Sequence, residues 1–261
     1  MPRHDVPPPG TPCWVELSSG DPGEAARFYG ALFGWRLEHE EYEGYGRFLL
    51  DGKIAAGLWP EETSGAAASW TVYFTVEDVE ASVDLVRDAG GQVVVEPREL
   101  DGQGTLAGCL DPEGVFFMLW KSANWGCTEL LGRPGCWGWT ELFTRDPERA
   151  EDFYPRVFGW GRSREGDRVR WTAEGQIVGG MLPLSPEAPA EALSAWVVHF
   201  AATDVWEAAE RAEAMGAVRI KQLHDPIYGP AIILTDPQHA HFVLIPAPPK
   251  EARGRFPLIF R

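Results

Sequence analysis

Cysteine is scarce: four residues in 261, at Cys13, Cys109, Cys127 and Cys136, with no C-x-x-C spacing. A chain this long can fold without disulfide staples, so reduced thiols are expected. Long apolar runs are missing as well. No stretch reaches the length needed to span a bilayer, and the N-terminal MPRHDVPPPGTP lacks the apolar region of a secretory signal. The expectation is a cytoplasmic protein that does not engage the membrane. Basic residues are few, 23 against 39 acidic ones, for a net charge of −16. Such a surface repels phosphate backbones, so nucleic acid is excluded as a partner.

What is present is aromatic and repeated. Hydrophobic residues make up 44% of the chain and aromatics 12%, enough for two ordinary domains. DPGEAARFYGALFGW at residues 21–35 returns as DPERAEDFYPRVFGW at 146–160. At the same spacing Trp14 matches Trp139, Glu16 matches Glu141, and Asp111-Pro112 matches Asp236-Pro237; at a spacing one longer, Trp70 matches Trp196, Phe74 matches Phe200 and Asp78 matches Asp204. A match of this extent marks duplication of a whole domain. The expected first domain is 1–124 and the second 136–261, joined by a Gly-rich linker at 125–135.

Each half contains a finer pattern. An apolar strand runs into Asp21 as a helix N-cap, Pro22 at the first helical position and Glu24 in the first turn, with Ala25, Phe28, Tyr29 and Leu32 on one face. The order recurs from Trp70 to Val76, with Asp78 as cap, a helix stopping at Gly90-Gly91 and a strand from Gln92 to Glu96. GRFLLDGK, IAAGLW, TLAGCLD and VFFMLW supply further short strands. The fold class is therefore α+β: four βαβββ modules in two domains, with curved mixed sheets.

The apolar strand, the D-P-x-x-A-x-x-FY-x-x-x-FGW helix and the closing DPEGVFFMLW and DPQHAHFVLI segments resemble the vicinal oxygen chelate superfamily of glyoxalases, bleomycin-resistance proteins and extradiol dioxygenases. The resemblance covers roughly residues 12 to 246 and is nearest to tandem two-domain actinobacterial members. It implies paired modules whose sheets form a cup, with metal ligands on the first and last strands. Counted from the capping Asp and the DP turn, those places fall on Trp14, Thr71, Trp139, Val197, Met118 and Val243, none of them an ordinary hard-metal ligand. No metal and no other cofactor is expected. A shifted iron triad of Glu141, His199 and His241 is the minor alternative.

Strand alternation then gives the candidate lining. Trp14, Glu16, Tyr73, Phe116, Met118, Trp139, Glu141, His199 and His241 are the candidate ligand-binding residues, with Trp70 and Trp196 also placed in the lining; Glu141 and His199 are the candidate acid/base pair. Aromatic walls with a few carboxylates suit an aromatic small molecule, a cationic one included. The expected function is a metal-independent binding protein for such a metabolite or antibiotic, serving sequestration, resistance or biosynthesis. The alternative is a cofactor-independent enzyme acting on an aromatic or polyketide substrate, with a metal-dependent lyase or dioxygenase behind it. The expected assembly is a monomeric pseudo-dimer or a homodimer.

Overall fold

The computed structural model describes residues 7–39, 44–61, 67–100, 102–123, 130–188, 194–225 and 228–250. Cys127 and the expected linker's residues 125–129 lie outside them. Four modules follow one another, each a strand, a helix and three strands. The first is β1 (Pro12–Ser19), α1 (Pro22–Phe33), β2 (Arg36–His39), β3 (Gly46–Leu50) and β4 (Lys53–Pro60); the second is β5 (Ser69–Thr75), α2 (Val79–Asp88), β6 (Gln92–Leu100), β7 (Gly104–Leu110) and β8 (Phe116–Ser122). The third is β9 (Trp137–Thr144), α3 (Pro147–Phe158), β10 (Gly161–Glu165), β11 (Arg168–Ala173) and β12 (Gln176–Pro183). The fourth is β13 (Ala195–Ala202), α4 (Val205–Ala214), β14 (Val218–Asp225), β15 (Gly229–Thr235) and β16 (His241–Pro246).

The helices begin where the sequence places them. Asp21 Oδ1 accepts from Glu24 N at 2.8 Å and Asp146 Oδ1 from Arg149 N at 3.1 Å, each satisfying an amide that the first turn leaves without a helical partner. Gly34 and Gly159 close α1 and α3 at φ 78 and 69, a left-handed geometry that a side chain strains. Asp78 and Asp204 cap α2 and α4 in the same manner.

Two eight-stranded mixed sheets result, ordered β2-β3-β4-β1-β5-β8-β7-β6 and β10-β11-β12-β9-β13-β16-β15-β14. Within each module the first and last strands are parallel neighbours. The compact units cut across the sequence halves. One holds α2 and β6–β8 with α3 and β10–β12; the other holds α1 and β2–β4 with α4 and β14–β16, and β1, β5, β9 and β13 are divided between them.

Both units repeat one core device. In one, Tyr29 Oη donates to Asp236 Oδ2 and accepts from Trp70 Nε1, each at 2.9 Å. In the other, Tyr154 Oη donates to Asp111 Oδ2 and accepts from Trp196 Nε1, again at 2.9 Å. Trp70 and Trp196 are thus core residues, not lining. The reason is strand parity: Trp70 is an odd number of residues from Tyr73, and Trp196 from His199, so each pair points to opposite faces. Trp35 and Trp160 are also core, with Nε1 donating to Gly135 O at 2.7 Å and Gly10 O at 3.1 Å.

Burial pushes the Asp111 and Asp236 carboxyls above their ordinary range, outweighing the backbone and tyrosine hydrogen bonds that favour the charged form. A carboxyl raised in the folded state binds its proton more tightly there than when unfolded. Its contribution to stability is therefore full below the ordinary Asp range and is lost as pH rises from there through the raised folded value. Urea midpoints are expected to carry a component that falls with pH over that acidic window, and Asp111→Asn or Asp236→Asn should flatten it. An unchanged pH slope in both variants would contradict the assignment.

Candidate functional site

The parallel registers show which residues of the first and last strands stand level. Glu16 is level with Gly57, Tyr73 with Met118, Glu141 with Gly180 and His199 with Val243. The first-strand places level with the last-strand ones are therefore Glu16, Tyr73, Glu141 and His199, two residues beyond those counted from the sequence. Each pair extends by one strand into a row across three: Arg47, Gly57, Glu16; Gly108, Met118, Tyr73; Arg170, Gly180, Glu141; and Ile233, Val243, His199. Modules one and three share a motif, an arginine and a glutamate with glycine between.

In the third module that row is a buried ion cluster. Glu141 is 1% exposed. Arg168 Nη1 donates to Glu141 Oε1 at 3.0 Å and to Oε2 at 3.1 Å, and Arg170 Nη1 donates to Oε1 at 3.1 Å. The Arg170 side chain is 3% exposed and that of Arg168 12%, so Arg168 forms the cluster's open edge. Gly180 makes the contact possible. A Cβ built there would lie 2.7 Å from Glu141 Oε1 and 2.9 Å from Arg170 Nη1.

The first module answers with different chemistry. A Cβ at Gly57 would lie 2.5 Å from Tyr45 Oη and 2.9 Å from Glu16 Oε2, so a phenol fills the cradle that a guanidinium fills in the third module. Tyr45 hydrogen-bonds to Glu16 and Trp14, and burial together with the Glu16 carboxylate holds its hydroxyl protonated well above the usual tyrosine range. Glu16 and Tyr45 are half-buried, unlike Glu141.

The remaining candidates are placed as follows. Tyr73 and Met118 are buried neighbours across β5 and β8, and Phe116 is exposed at the start of β8. Trp14 and Trp139 are buried. His199 is buried, with Nδ1 3.0 Å from Val197 O and its ring 6.0 Å from that of Tyr228. His241 is exposed at the start of β16. Glu141 and His199 belong to different compact units. The structure brings Glu141 to arginines and Glu16 to a tyrosine.

Sequence reasoning missed Arg168, Arg170, Tyr45 and Arg47. GDRVRWTAEG carries no distinguishing signal, because charges alternating with apolar residues ordinarily face water. The one available signal was the R-x-R spacing, which puts both guanidiniums on one strand face. The shared Arg-Gly-Glu row was hidden from the repeat because Arg170 follows Glu141 by 29 residues whereas Arg47 follows Glu16 by 31.

Comparison with known proteins now bears on the reading. Residues 13–119 and 137–244 each match the Glyoxalase/Bleomycin resistance protein/Dioxygenase superfamily. A Mycobacterium bovis protein named "Putative glyoxylase CFP32" is 33% identical over 95% of this chain and 99% of its own length. The anthracycline biosynthesis protein DnrV of Streptomyces peucetius is 31% identical over 91% of this chain and 93% of its own length. Among solved structures, an Mn(II)-bound glyoxalase from Novosphingobium aromaticivorans superposes with a TM-score of 0.66 at 14% identity, covering 97% of this chain and 85% of its own. That likeness is one of fold.

In the third module the residues present do not fit a divalent cation of the kind in that glyoxalase. The last-strand places hold Gly57, Met118, Gly180 and Val243, which offer no oxygen or nitrogen side-chain donor, and Glu141 is already engaged by two guanidiniums. Among the described residues, no group of three or more His, Cys, Asp or Glu is gathered in the manner of a metal site.

Proposed function

Since the chain belongs to the Glyoxalase/Bleomycin resistance protein/Dioxygenase superfamily and carries its domain twice, we propose that it binds an aromatic, oxygen-rich small molecule without a resident metal, anchoring it at Arg168. The observation that carries this reading is the buried Glu141 cluster. A carboxylate paired with two guanidiniums is not available to a cationic ligand, and a molecule approaching the open edge meets a guanidinium. The expected ligand is therefore a phenol, quinone or carboxylate rather than the aromatic cation suggested by counting carboxylates. DnrV, by its name a protein of anthracycline biosynthesis, supports an aromatic polyketide class and a place in antibiotic metabolism.

The test is a titration of anthraquinone-2-carboxylate and of an anthraquinone bearing a quaternary ammonium group, followed by tryptophan fluorescence. The acid is expected to bind at least about tenfold more tightly, and Arg168→Gln to weaken it by about 1–3 kcal/mol, the range for losing a charge-assisted contact. Tighter binding of the cation, or no effect of Arg168→Gln, would remove the anchor assignment.

A second reading, a cofactor-independent acid/base enzyme, is favoured by one observation. The Tyr45 hydroxyl meets Glu16 over Gly57, which puts a phenol and a carboxylate, both half-buried, within reach of one bound molecule. Turnover of a hydroxyanthraquinone that is lost in Tyr45→Phe but retained in Arg168→Gln would select it.

A further inference from the structure

The misfit between this chain and a metal-bound relative has a positive counterpart in the third module. Three facts converge on Gly180. It stands level with Glu141 on the strand where the superfamily resemblance puts a last-strand metal ligand. It has no side chain, and the space its Cβ would take is closed by Arg170 Nη1 at 2.9 Å. That same nitrogen donates to Glu141 Oε1 at 3.1 Å. We infer that the Arg170 guanidinium is this protein's own resident cation, seated over Gly180 against Glu141 in the space that a last-strand donor and its metal would need.

The substitution changes what the site can do. A guanidinium stays charged at every accessible pH, does not dissociate and offers no exchangeable coordination position. Ligand oxygens are then held by N–H donors alone, and the Glu141 carboxylate is paired with guanidiniums instead of with a metal. Glycine is the other half of the device: any Cβ at 180 would displace either the carboxylate or the guanidinium. The first module has the same glycine but fills the space over it with the Tyr45 phenol, with the charge of Arg47 near enough to act on that phenol. The inference deepens the proposed binding function at the same cluster, and its test uses no aromatic ligand, so either can fail without the other.

The experiment is a Co(II) titration in an Arg168→Gln background, which frees Glu141 from its other guanidinium, of the parent with Arg170 intact and of Arg170→Ala combined with Gly180→Glu, read by visible ligand-field absorption and thermal unfolding. The double variant exchanges the resident cation for a second carboxylate. It is expected to take up Co(II) and to gain roughly 5 °C in Tm at a hundredfold excess over its Kd, while the parent shows neither response. Uptake of one equivalent of Co(II) by the parent overturns the inference, as does a folded double variant indifferent to Co(II). If the double variant does not fold, Arg170→Ala alone decides. Methylguanidinium is expected to restore its Tm more than sodium chloride at equal concentration does, and equal effects overturn the inference.

Discussion

Glu141→Leu is expected to lose about 3–5 kcal/mol of stability, because it leaves the guanidiniums of Arg168 and Arg170 buried without the carboxylate that holds them. The size follows from desolvation. Removing one partner of a buried charge cluster exposes the full cost of keeping the others out of water, whereas replacing the cluster as a whole does not. The variant with leucine at 141, 168 and 170 together should therefore recover most of the loss. Glu16→Leu, at the corresponding place in the first module, should cost about 1–2 kcal/mol, since Glu16 is half-buried and its charge keeps part of its hydration. Urea denaturation of the four proteins measures the order. If the Glu141 and Glu16 variants are equally affected, the two rows are energetically alike and the cluster has no special standing.

The second large effect belongs to the tyrosine relays. Tyr29→Phe removes a hydroxyl that accepts from Trp70 and donates to Asp236, stranding a buried indole N–H and weakening the hold on a buried carboxyl. About 2–3 kcal/mol should be lost, and the same for Tyr154→Phe with Trp196 and Asp111. The relays share no residue, so the double variant should lose close to the sum. Chemical denaturation checks both the size and the additivity. A loss below about 0.5 kcal/mol in either single variant would show that the hydroxyl contributes packing alone.

Much of the fold was legible because its signals are local. The caps at Asp21, Asp78, Asp146 and Asp204 act within a few residues, the glycines after Phe33 and Phe158 stop their helices through their own φ, and the duplicated FY-x-x-x-FGW helix declares a repeat without any tertiary information. The first-strand residues Glu16, Tyr73, Glu141 and His199 were equally visible, since strand alternation needs only a parity.

The partners of those residues were not visible. Which residue of the last strand stands level with Glu141 is a register, set by a parallel pairing whose strands are joined through a helix and two further strands, and no nearby residue encodes it. Read from the sequence, Glu141 was a carboxylate in need of a partner or a ligand, and nothing tied Arg168 and Arg170 to it. The fold places both arginines beside it because Gly180, on the strand between, has no side chain to keep them apart. The repeated helices, the caps and the strand faces were determined by the sequence itself, each within its own few residues. Whether a buried carboxylate meets a ligand, a metal or a guanidinium was decided by the tertiary structure, because only the assembled sheet brings residues from three strands to one point.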